Sequence, residues 1–150
     1  MEVSFLTIKN FEKLMKSSLS LRKSFEKCIK DMRRQTKFEY TDILKEATND
    51  TRTTKIFIIH TQTECIFITR VLTEPGNSEI NMVYTNPSYR HQGYCVNSLK
   101  KIIKKLRANE IYLTVNKNNK AAIHCYETVG FVNTKSIGTL IEMTIEKNKT

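Results

Sequence analysis

Glycine and proline are scarce in this chain, at 4 and 2 of 150 residues. Such scarcity, with aliphatic clusters such as Ile56-Phe57-Ile58-Ile59, argues against a disordered chain although the hydrophobic share is only 39%. No apolar run approaches the ~18 residues of a membrane span, so no membrane partner is expected. The first residues lack a charged segment, an apolar core and a small-residue cleavage site, which speaks against a secretory signal. Cysteines are few and dispersed: Cys28, Cys65, Cys95 and Cys125 lie 30 or more residues apart. Without a Cys-x-x-Cys pair or a Cys/His set at zinc spacing, no metal centre is expected. The expectation is four reduced thiols in a cytoplasmic protein, each acting as a small hydrophobe. The chain also lacks a Gly-Lys-Ser/Thr phosphate loop and a Gly-x-Gly-x-x-Gly turn, so nucleotide hydrolysis and dinucleotide binding are unsupported.

What the chain does have is positive charge. Lys and Arg number 25 against 15 Asp and Glu, for a net charge of +10. The charge is spread, +4 over residues 1–75 and +6 over 76–150, with no basic tail. An excess of this size fits a solvated Lys-rich surface, or an anionic partner such as nucleic acid or a polyphosphate cofactor. A basic nucleic-acid-binding module is the alternative function, favoured by the Lys100–Lys105 cluster. No helix-turn-helix, finger or aromatic-platform signature supports it. The length suits one domain covering 1–150, able to bury roughly 68–70% of its unfolded surface.

Periodicity then divides the chain. Val3–Ile8 reads as a strand, and Asn10 as the cap of a helix carrying Phe11, Leu14 and Met15. Ser20 to about Arg34 reads as a second helix, with Leu21, Phe25, Cys28, Ile29 and Met32 on one face. Arg22, Lys23, Lys27, Lys30 and Arg33 form its other, basic face. A shorter helix fits Tyr40–Ala47. Lys55–Thr61 and Glu64–Val71 form a hairpin around Gln62-Thr63, and Glu79–Thr85 is a third strand ended by Asn86-Pro87. Tyr94–Arg107 is an amphipathic helix built on Val96, Leu99, Ile102, Ile103 and Leu106. Ile111–Val115 is a strand, and Asn118 or Asn119 caps a helix that Gly130 ends. Phe131–Lys135 and Thr139–Glu146 are the last strands. The order β-α-α-β-β-β-α-β-α-β-β, with a short third helix before the second strand, gives an α/β (α+β) fold, one mixed sheet flanked by helices.

The chemistry concentrates between the third strand and the amphipathic helix, at Tyr89-Arg90-His91-Gln92-Gly93-Tyr94-Cys95. A helix start has unpartnered N–H groups and a partial positive charge, which suit a pyrophosphate. Gly93 allows close backbone approach and Arg90 adds charge. Taken alone, one glycine at a helix start is only a turn. Arg90-x-x-Gly93-x-Cys95, however, resembles the Arg/Gln-x-x-Gly-x-Gly/Ala signature of the GNAT superfamily of acetyl-CoA-dependent N-acetyltransferases. Val83 to Arg90 resembles the lead-in strand of that family. Val115 to Phe131, with Asn119, Ala122, Tyr126, Glu127, Gly130 and Phe131, resembles its second block. The resemblance covers residues 79–131. Cys95 departs from it, standing where the family has Gly or Ala.

The resemblance implies a single GNAT-like domain with a mixed, mostly antiparallel sheet. It implies direct transfer of the acetyl group of acetyl-CoA to a primary amine, with no metal. Backbone near Val83 and Thr85 would bind the pantetheine arm of coenzyme A. The amides of His91, Gln92, Gly93, Tyr94, Cys95 and Val96, with Arg90 beside them, would hold the pyrophosphate. Asn119 would fix the arm or cap the last helix. Tyr126 would be the general acid for the leaving thiolate, although a tyrosine on an apolar helix face is by itself a core residue. Glu79, eleven residues before Arg90, would be the general base, the alternative being a chain of waters that carries the proton away. His60 and His124 read as core or surface fillers. The acceptor stays open between a protein lysine or N-terminus, a polyamine and an amino sugar, and a homodimer is left open too. A coenzyme-binding relative without catalysis is a further alternative.

Overall fold

Continuous apolar runs that end at turn residues build the sheet of this protein, and amphipathic segments build the helices on its two faces. The computed structural model describes residues 1–147. Its strands are β1 (Glu2–Thr7), β2 (Thr53–His60), β3 (Cys65–Glu74), β4 (Asn77–Thr85), β5 (Glu110–Asn116), β6 (Val132–Ile137) and β7 (Leu140–Glu146). Its helices are α1 (Ile8–Ser17), α2 (Leu19–Arg33), α3 (Tyr40–Asn49), α4 (Tyr94–Lys105) and α5 (Lys120–Val129). The seven strands form one mixed sheet in the order β1-β2-β3-β4-β5-β7-β6. Every neighbouring pair is antiparallel except β4 with β5. The expected fold class therefore holds.

β2 shows why the middle of the chain reads as an unbroken apolar run. Ile56 and Ile58 pack with Phe11, Phe25 and Ile43 of α1, α2 and α3. Phe57 and Ile59 point the other way, into a second cluster with Leu99 and Ile102 of α4 and Tyr126 of α5. A strand covered on both faces needs apolar residues at every position.

Two local expectations are corrected. Asn10 does not cap α1: Thr7 does, accepting the Asn10 N–H at 3.2 Å, because the first strand ends one residue earlier than its hydrophobicity suggests. Nor are all four cysteines reduced. Cys95 and Cys125 form a disulfide, while Cys28 and Cys65 are buried free thiols. Helices α4 and α5 lie side by side on one face of the sheet, which brings these Cα atoms to 6.4 Å despite a separation of 30 residues.

Candidate active site

The parallel pair at the centre of the sheet is only partly made. β4 and β5 pair over Asn77–Glu79 and Glu110–Tyr112, yet β4 runs on to Thr85 and β5 to Asn116. Past Glu79 and Tyr112 the strands part, leaving backbone groups of the two inner edges without each other as partners. A bulge accompanies the fork. Ile68 faces Tyr84 and Arg70 faces Asn81, so three residue steps on β4 span two on β3. Met82 takes φ +56° there, a conformation that a side chain of this type rarely adopts and that costs ~1–3 kcal/mol.

A cleft of about 270 Å³ occupies the fork. Val83, Asn116, Asn119 and Tyr126 line it, with Met82 and Leu113. Tyr126 is 6% exposed, and burial pushes its phenol up to about 12, so it stays protonated at neutral pH. Its ring meets Phe131 edge-on at 6.2 Å. Gly130 (φ +121°) turns the chain under it, so that the Gly130 and Phe131 N–H groups both donate to the Tyr126 carbonyl. Asn119 is the cap: its Oδ1 accepts the Ala122 N–H at 3.2 Å. It therefore lines the cleft and holds the start of α5 at once.

Beyond Thr85 the chain makes a short 3-10 turn, Pro87–Tyr89, and enters α4 through Gly93. Asn86 fixes the turn. Its Nδ2 donates to the Cys65 carbonyl at 2.9 Å and its Oδ1 accepts the Ser88 N–H at 3.1 Å. Tyr89 is tied to Glu64 through its hydroxyl at 2.5 Å. Arg90 folds back on the strand, with Nε donating to the Thr85 carbonyl at 3.1 Å and the guanidinium 5.2 Å from the Tyr84 ring centre. His91 (φ +64°) and Gly93 (φ +82°) then turn the backbone into the helix. No side chain caps α4, and its first turn has no acidic residue. The amides of Tyr94, Cys95 and Val96 are thus left for an anion.

Glu79 sits at the last paired rung before the fork, opposite Tyr112. It does not line the cleft. Arg52 Nη1 donates to its Oε1 at 2.8 Å, and the same guanidinium grips Asp50 and reaches Tyr112 Oη at 3.3 Å. The structure thus gathers Val83, Asn119 and Tyr126 around one cleft, places Thr85 and 90–96 on the segment leading out of it, and sets Glu79 apart in an ion-pair cluster.

A second network escapes sequence reasoning. Arg33 of α2 makes a two-pronged contact with Glu46 of α3 at 2.9 and 2.8 Å. Arg70 of β3 adds a bond to Glu46 at 2.7 Å and donates through Nε to Asn81 Oδ1 at 2.8 Å. Arg33, then Arg70, outweigh burial and hold the Glu46 carboxyl down to about 2. The network abuts the bulge, since Arg33 Nη2 also lies 3.5 Å from the Met82 sulfur. Four elements, α2, α3, β3 and β4, supply these residues, and no local pattern joins them. Arg33 belongs to the basic face of α2.

Comparison with known proteins agrees with this architecture. A variant of the spermidine N-acetyltransferase SpeG from Vibrio cholerae superposes with a TM-score of 0.66 at 14% identity, over 97% of this chain and 95% of that one. Campylobacter jejuni N-acetyltransferase PseH, in complex with acetyl coenzyme A, gives 0.67 at 16% identity over 98% and 100%. PaiA N-acetyltransferase from Thermoplasma acidophilum, in complex with coenzyme A, gives 0.62 at 17% over 97% and 99%. At such identities the likeness is one of fold. No curated protein matches the sequence significantly. The profile of the Acetyltransferase (GNAT) family matches residues 25–131, a span that holds the forked strands, the uncapped start of α4 and the helix carrying Tyr126. With that span covering well over half its length, the chain belongs to the GNAT acetyltransferase family and is an acyltransferase.

Proposed function

We propose that this protein transfers the acetyl group of acetyl-CoA directly to the nitrogen of a primary amine. The observation that carries this reading is the fork between β4 and β5, whose cleft is lined by Val83, Asn119 and Tyr126, with the chain from β4 running on into the start of α4 that no side chain caps. The unpaired edge of β4 around Val83 and Thr85 offers peptide groups to the amide-rich pantetheine arm. The amides of 91–96 hold the pyrophosphate, and Arg90 adds its charge beside them. Bound there, the thioester presents its carbonyl carbon to an amine entering the fork.

The residues then divide the work. The amine nitrogen attacks the thioester carbonyl, so the β4 backbone must stabilise a developing oxyanion. Tyr126 donates its phenolic proton to the leaving sulfur. Its raised pKa keeps that proton in place up to strongly alkaline pH. Glu79 lies outside the cleft, so in this reading the amine proton reaches it through intervening water, and Arg52 fixes its orientation. Asn119 keeps α5, and so Tyr126, at the cleft through its cap.

The structural neighbours named for spermidine and for PseH do not fix the acceptor. Glu46 offsets one of the two positive charges of Arg33 and Arg70 next to the bulge, so the basic face of α2 presents less charge there than its sequence suggests. The test is radiolabelled acetyl transfer from acetyl-CoA to a panel containing a lysine peptide, a free peptide N-terminus, a polyamine and an amino sugar. Transfer to one class is expected. Tight acetyl-CoA binding without transfer to any amine would instead indicate a relative that has lost catalysis. Neither the family match nor the fold neighbours support the nucleic-acid alternative.

A further inference from the structure

The disulfide lies inside the region that the acetyl-transfer reading uses. Gly93 caps α4, so Cys95 is the second residue of that helix, within the turn whose amides are free. Cys125 immediately precedes Tyr126 on α5. One covalent bond therefore links the anion-binding turn to the residue next to the candidate acid.

Cys125 and Tyr126 are the fully buried side chains of α5, and Ala122, Ile123 and Val129 pack half-buried against the same core. His124, Glu127 and Thr128 face solvent, and Asn119 secures only the first turn. Opening the disulfide removes the covalent tie beside Tyr126 and leaves non-covalent packing alone to set how α5 sits against α4. The other two cysteines do not reach this region: Cys28 of α2 and Cys65 of β3 are free thiols in hydrogen-bond contact with each other in the apolar cluster on the opposite face of the sheet.

We propose that the Cys95–Cys125 pair is a redox-controlled positioning element for acetyl transfer, resting on the function proposed above. Formed, the bond keeps Tyr126 aligned with a coenzyme held at the start of α4. Reduced, the protein still binds the coenzyme through backbone amides but aligns the acid poorly, which slows the transfer step. The exchange is balanced against a low-molecular-weight disulfide of the glutathione class. The two cysteine thiols lose two protons and two electrons to form one S–S bond, and the oxidant's disulfide takes them up to become two thiols. The reaction proceeds through a mixed disulfide, for which half-buried Cys95 is the more accessible sulfur.

The experiment equilibrates the full chain in glutathione buffers from reducing to oxidising, traps free thiols by alkylation and maps the peptides by mass spectrometry. Turnover on the amine panel, acetyl-CoA binding by calorimetry and amide hydrogen exchange of residues 120–129 are measured on the same samples, well below both melting temperatures. The expected result is a Cys95–Cys125 bond with Cys28 and Cys65 alkylated. The reduced form should show kcat about tenfold lower, nearly the same acetyl-CoA affinity, and faster exchange in α5. The C95A/C125A double variant should stay at the reduced rate in every buffer, and Cys28→Ala should keep the full response. A disulfide that only raises stability would shift the melting temperature and leave kcat and α5 exchange unchanged, overturning the proposal. So would failure of the bond to form in oxidising buffer, or a response that survives in the double variant. Should no amine accept the acetyl group, α5 exchange decides. Lack of acetyl-CoA binding in both forms overturns the acetyltransferase reading and this proposal with it. Binding with turnover and exchange indifferent to redox state overturns this proposal alone.

Discussion

Arg70 on β3 holds Asn81 on β4: its Nε donates to Asn81 Oδ1 at 2.8 Å, one residue before the strained Met82. The bulge that opens the cleft is thus fastened from the neighbouring strand, and through Glu46 from α2 and α3 as well.

Glu46→Gln should loosen that fastening. Its carboxyl is held at about 2 in the folded protein against 4.5 ordinarily, so its contribution to stability is present above pH 4.5 and lost as pH falls towards 2. The side chain is 37% exposed, which screens the pair. The expected cost at neutral pH is about 1 kcal/mol, or roughly 2–4 °C in Tm. Thermal unfolding from pH 7 to pH 2 checks it: the gap between wild type and variant should close on the acid side, and a gap that is constant with pH would count against this role.

Tyr126→Phe should lower kcat by about 100-fold or more and leave acetyl-CoA affinity nearly unchanged. Because burial pushes the phenol up to about 12, the wild-type pH–rate profile should show no loss from Tyr126 between pH 7 and 10. Steady-state kinetics with calorimetry separates the two effects, and unchanged turnover removes Tyr126 from the mechanism.

Glu79→Gln should lower kcat by about 100-fold and flatten the acid limb of the pH–rate profile if the carboxylate takes the amine proton. A variant with a normal profile excludes it. Arg52→Gln removes the 2.8 Å ion pair that orients the same carboxylate and should lower kcat without abolishing activity.

Gly93→Asp should weaken acetyl-CoA binding about tenfold. Its carboxylate would compete for the free amides of α4 and repel the pyrophosphate, while aspartate tolerates the left-handed φ of +82° better than most residues. Calorimetry reads the affinity directly, and an unchanged affinity would move the anion site away from this turn.

Much of the fold is legible along the chain. The i, i+3, i+4 spacing of α4, the two-sided apolar run of β2 and the turn at Gly130 are local signals, and each corresponds to an observed element. So is the glycine that enters α4 without a capping side chain. In β7 the alternation holds only in part: Ile141 and Met143 are buried and Glu142 is half-buried, but Thr144 is buried as well and Ile145 only half so.

Other features depend on residues far apart in sequence. The partial pairing of β4 with β5, the bulge at Met82, the Arg33–Glu46–Arg70 network and the Cys95–Cys125 bond each arise from packing of separate elements. The sequence alone determined the helices, the strands and the glycine turn that enters α4, because backbone propensity and side-chain periodicity act over a few residues. Tertiary structure alone decided where the sheet opens and which cysteines join, because strand register and helix-to-helix distance are set only when both faces of the sheet pack.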